Sequence, residues 1–60
     1  MKKYTVAFRD AETSKIRLKF NDVVRFEGAF DDRLFVEMEN GKVCLAKPFD
    51  HEVIAIDEVK

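Results

Sequence analysis

The chain has sixty residues, a formal net charge of −1, 38% charged and 47% hydrophobic side chains, one cysteine and one histidine. That is one domain at most, too apolar for a disordered tail, and with Cys44 and His51 alone it lacks the thiols for an internal disulfide and the soft ligands for a structural zinc site. A chain this short buries only about 60% of the surface its unfolded form exposes, so its stability is expected to rest on efficient packing or on self-association.

The opening MKKYTVAFRD carries two lysines but no apolar run behind them, because Arg9 and Asp10 interrupt it. No segment approaches the roughly 18 apolar residues of a membrane span. A soluble, cytoplasmic protein with no membrane contact is the expectation.

Period-two alternation then dominates. Tyr4, Val6 and Phe8 alternate with Thr5, Ala7 and Arg9, and Ile16, Leu18 and Phe20 alternate with Arg17 and Lys19. Pairing Phe8 with Ile16 brings Val6 to Leu18 and Tyr4 to Phe20. Val24, Phe26 and Phe30 share parity with Gly28, which is placed for a bulge or sharp bend. A three-residue connection, Asp31 to Arg33, sets Phe30 against Leu34 and Phe26 against Met38.

Asn40-Gly41 is the preferred pair for a two-residue type I′ turn. Centred there, the register pairs Met38 with Val43, Val36 with Leu45 and Glu39 with Lys42. A one-residue slip would turn every apolar residue to the wrong face. Pro48-Phe49-Asp50 reads as a turn into a last strand at Val53–Asp57, the β-branched Val53, Ile54 and Ile56 favouring strand over helix. Five antiparallel strands with one apolar face should curl to cover it. The expected fold is all-β, a small five-stranded antiparallel SH3-like (or OB-like) barrel over residues 1–60.

The likeness to SH3-like barrels lies in this strand pattern. NDVVRFEGAF is similar to the strand-and-glycine opening of KOW modules but lacks the further glycine those modules use. The ALYDY-type stretch and tryptophan of SH3 peptide grooves are absent too, so no family is assigned.

Catalytic furniture is sparse. His51 stands between Asp50 and Glu52, yet a metal site or an oriented base needs convergent partners, and neighbours on an extended chain point apart. Cys44 is expected on the outer face opposite Glu37, an acid that disfavours a thiolate. Ser14 lies in a turn far from His51, and Gly28 and Gly41 are too isolated to cradle a phosphate. A barrel this small is filled by its own side chains. No enzymatic activity, cofactor, metal or small-molecule substrate is expected.

Two surfaces remain. Residues 1–20 hold six basic and two acidic side chains, net +4, whereas residues 21–60 hold five basic and ten acidic, net −5. The first-hairpin register aligns Lys3, Arg9, Lys15, Arg17 and Lys19 on one outer ribbon, an electrostatic footprint for nucleic acid that has no interleaved aromatic for base stacking. The second surface centres on Phe35, out of phase with its strand and opposite Ala46, with Cys44, Glu37 and Glu39 around it. An apolar patch rimmed by acids suits a protein interface. A non-enzymatic interaction module of adaptor or inhibitor type, binding a protein partner or its own copy as a homodimer, ranks ahead of nucleic-acid binding.

Overall fold

The computed structural model describes residues 2–60. Five strands form one antiparallel sheet: β1 (Lys3–Asp10), β2 (Ile16–Gly28), β3 (Leu34–Met38), β4 (Val43–Ala46) and β5 (Glu52–Val59). The first four make a meander, and β5 returns to lie against β1, so the order across the sheet is β4-β3-β2-β1-β5. The sheet stays open, with β4 and β5 as its two edges. All-β chemistry, five antiparallel strands and a strand rather than a helix in the C-terminal segment agree with the alternation of the sequence.

The core lies on one face. Val6, Phe8, Val23 and Val36 are fully buried, Leu34 nearly so, and Tyr4, Leu18, Phe20, Phe26, Met38, Cys44 and Ala46 pack around them. Edge-to-face ring pairs, Tyr4 on Phe26 at 5.2 Å and Phe8 on Phe20 at 6.3 Å, tie β1 to β2; such pairs add about 0.5–1.5 kcal/mol beyond the area they bury. Val23 holds the core position that alternation assigns to Val24.

The registers differ from those expected, each for a local reason. In the first hairpin Phe8 pairs with Leu18 and Val6 with Phe20, two residues along from the predicted partners, and a shift between Phe8 and Arg9 brings Arg9 opposite Ile16. Asp10 causes this stagger. Its Oδ1 accepts the amides of Glu12 and Thr13 at 2.8 and 2.9 Å, and its own N–H donates to Lys15, closing the hairpin on four residues, with Ser14 at positive φ.

β2 is one long strand with two irregularities. Asp22 sits at φ 55, and the ladder to β3 slips between Val23 and Arg25. Each extra residue reverses the facing of the residues after it. The ladder has no register shift at Gly28, which ends the strand paired with Leu34; the shift lies earlier, between Val23 and Arg25. Phe30 lies in the loop, 64% exposed, rather than against Leu34. Ala29 and Arg33 close that loop by hydrogen bonding, with Asp31 and Asp32 both at positive φ, a conformation aspartate tolerates better than most residues.

The Asn40-Gly41 hairpin has its turn where expected but a loop of three residues. Gly41 N–H donates to Met38 C=O and Met38 N–H to Lys42 C=O. Gly41 alone takes positive φ, at 89°, so the turn is a type I-like bend closed by a left-handed glycine. That one residue moves the register: Val36 pairs with Cys44, Phe35 with Leu45 and Glu37 with Val43. Lys42 donates its amide to Asn40 Oδ1 at 3.0 Å instead of facing Glu39.

Candidate functional site

The first-hairpin bulge has a large effect on Arg17. Its side chain turns to the core side, where the guanidinium lies 3.8 Å over the Phe49 ring and 5.9 Å from Phe8. Arg17 Nε donates to both Glu52 carboxylate oxygens at 3.1 and 2.9 Å, and its terminal nitrogen donates to Glu52 Oε1 at 2.9 Å and to Lys47 C=O at 3.2 Å. Glu52 Oε1 also takes the Phe49 amide at 2.8 Å. Only 3% of the Glu52 side chain is exposed. The Arg17 hydrogen bonds, joined by the Phe49 amide, hold the Glu52 carboxyl below the usual carboxylate range, with desolvation opposing them. Arg17 is thus a clamp between the start of β2 and the β4–β5 loop, already neutralised.

The basic ribbon therefore disperses. Lys3 Nζ is 2.8 Å from Glu39 Oε2, a bond that raises the lysine pKa. Lys15 stands at the hairpin end near Asp10, Thr13 and His51. Only Arg9 and Lys19 remain together. They flank a shallow groove of about 390 Å³ on the outer face, floored by Ala7 and Ala55, with Asp57 on its rim. Ile16, expected inside, lines this groove and is 54% exposed.

The patch around Phe35 is also rearranged. Phe35 is half-buried on the outer face, with the Arg25 guanidinium 5.1 Å from its ring, and Arg25 in turn pairs with Glu37 at 3.2 Å. The register puts Cys44 and Ala46 on the core side, so they leave the patch. Leu45 and Val43, 40% and 60% exposed, take their places. Glu39 faces Lys3 rather than Phe35.

Sequence reasoning missed the β5 edge. In register, Ile54 and Ile56 pair with Phe8 and Val6 on the core side, whereas Val53 and Val59 pair with Arg9 and Lys3 on the outer side. All four are 39–50% exposed. The sign was present in the sequence, four branched apolar residues within eight positions, but only the strand order shows that among the described residues no strand lies beyond them.

The remaining candidates stay apart. His51 Nε2 is 3.6 Å from Asp10 Oδ2 and its ring is tilted against Phe49 at 5.9 Å. Backbone amides of Thr13 and Glu12 are the main cause of the lowered Asp10 pKa, His51 a lesser one. Among the described residues no three His, Cys, Asp or Glu side chains converge as metal ligands, and no helix is long and apolar enough to cross a membrane. No protein-family model, curated protein or solved structure matches the chain.

Proposed function

We propose that the protein is a non-enzymatic interaction module that binds other proteins by strand addition at β5. The observation carrying this reading is the open edge itself: an eight-residue strand flanked on one side only and bearing four exposed branched side chains. An extended peptide laid along it gains main-chain hydrogen bonds for affinity and alternating apolar contacts for specificity. The Phe35, Leu45 and Val43 patch offers a second, smaller contact. In this reading the sheet is an SH3-like (or OB-like) barrel left open between β4 and β5, and the protein works in the cytoplasm.

Nucleic-acid binding is the weaker reading. Two of its five cations are held by Glu39 and Glu52, and Asp57 borders the groove where Arg9 and Lys19 remain. Affinity capture from cell extract distinguishes the two. A strand-addition module retains protein partners in moderate salt and loses them on Ile56→Lys, while Arg9→Glu has no effect. Salt-sensitive retention on random DNA, abolished by Arg9→Glu, would reverse the ranking.

A further inference from the structure

The partner that best fits the β5 edge is β5 itself. Ala11 N–H donates to His51 C=O, and this pair continues the unbroken β1–β5 register that runs from Lys3↔Val59 to Asp10↔Glu52. Antiparallel pairs alternate between those that exchange hydrogen bonds and those that do not. Counting from Ala11–His51, it is Val53, Ala55, Asp57 and Val59 that bond to β1. Ile54, Ile56 and Glu58 therefore direct their N–H and C=O groups outward, to an edge that pairs with no other described strand.

Such edges are normally blunted by shortness, proline, a bulge or an inward charge. β4 is blunted: it has four residues, and Pro48 lies close behind it. β5 has eight residues, no proline or glycine and no register shift along β1; of its core-side charges, Glu52 is held by Arg17 and Glu58 lies near the strand's end, 3.9 Å from Lys2 Nζ. The core is small, six buried apolar side chains among the described residues, and association is a common remedy for a small core.

Resting on the strand-addition reading, we infer that β5 pairs antiparallel with β5 of a second copy about a two-fold axis through Ile56, joining two sheets into one of ten strands. Matching the apolar faces requires partners of equal parity, and matching the free backbone groups requires those partners to be even-numbered. The free backbone groups then select among the registers. An axis at Ala55 sets Glu58 opposite Glu52, whose N–H already donates to Phe49 C=O. An axis at Ile54 leaves the end of the strand unpaired. An axis at Ile56 sets Ile54 opposite Glu58 and Ile56 opposite its own copy, so the three free positions pair among themselves, with Val53 opposite Val59 on the outer face. The interface is short and without a deep pocket, so the dimer is weak and concentration-dependent.

The test uses purified full-length chain alone. Sedimentation over a roughly hundredfold dilution should show a monomer–dimer equilibrium, and Ile56→Lys should weaken it by at least about tenfold. In the dimer the amides of Ile54, Ile56 and Glu58 gain protection from hydrogen exchange; in the dilute monomer only their odd-numbered neighbours are protected. Register is read with single cysteines in a Cys44→Ala background. Hydrogen-bonded antiparallel partners lie about 5.5 Å apart, within disulfide reach, so Ile56→Cys should oxidise to a covalent dimer faster than Ala55→Cys. Faster cross-linking at Ala55 would overturn the register. A concentration-independent monomer with those three amides unprotected would overturn self-pairing; if capture of other proteins through Ile56 persisted, strand addition would stand without it, and loss of both would remove both.

Discussion

Gly41 and Gly28 form a matched pair for testing the hairpin. A Cβ at either position meets nothing within 4 Å, so substitution by alanine probes backbone conformation without steric interference. Gly41 has φ +89, and placing an L-residue in left-handed space costs roughly 1–2 kcal/mol. Gly28 is an ordinary strand residue, where alanine in place of glycine recovers about 0.5–1 kcal/mol of unfolded-chain entropy. The two variants should therefore move in opposite directions, about 1.5–3 kcal/mol apart. Urea unfolding monitored by circular dichroism resolves this easily, because at about 1 kcal/mol/M for a small chain the midpoints separate by on the order of 2 M. Asn40→Ala supplies a third point. In the three-residue loop it removes only the exposed bond to the Lys42 amide, about 0.5–1 kcal/mol; in a type I′ turn Asn40 would itself sit at positive φ and the cost would more than double. A neutral Gly41→Ala, or equal shifts in both glycine variants, would refute the loop geometry.

The core, the clamp and the groove each give a further test. Phe8→Ala removes a fully buried ring at a cost of about 3–5 kcal/mol, close to the roughly 3–9 kcal/mol total of a chain this size, so the variant should lack a cooperative thermal transition. The lowered pKa values of Glu52 and Asp10 mean that the unfolded chain binds more protons in acid. Their stabilisation is then complete above the ordinary carboxylate pKa of about 4 and is lost as pH falls through the depressed folded values. Glu52→Gln should flatten the acid limb of stability against pH, and an unchanged limb would show that the Arg17 clamp is absent in solution. DNA binding, if measured at low salt, should show a log–log salt slope no steeper than about −2, from Arg9 and Lys19 alone; a slope near −4 to −5 would restore the five-cation ribbon.

How far the sequence was legible depends on what each inference assumed. Strand identity needs only local alternation and β-branched side chains, so all five strands, the Asn40-Gly41 turn and the extended C-terminal segment could be read. Register needs an unbroken ladder, and three interruptions break it. Asp10 gathers two amides and staggers the first hairpin; Asp22 and the slip at Val24 reverse parity within β2. Asn-Gly itself is ambiguous, because a glycine after asparagine also satisfies the left-handed position of a three-residue loop. The site readings failed through these registers: Arg17 moved to the core side, Cys44 and Ala46 left the outer patch, and Ile16 moved to the groove. The β5 edge was invisible for another reason. Which strand lies beside which is a long-range property, and no stretch of residues states it.

The placement of β1 bears on how the protein is made. It lies inside the sheet, yet its second neighbour, β5, is separated from it in the chain by the whole of β2, β3 and β4. On the ribosome, β1 can zip to β2 as soon as both have emerged, but its other side must wait for β5. Throughout that interval the backbone groups of Lys3 to Arg9 that β5 will cover are bare, beside the same residues that seed the core. Until β5 docks, two chains can pair with one another through that bare side of β1, so a high concentration of folding chains would lower the yield of correctly paired molecules.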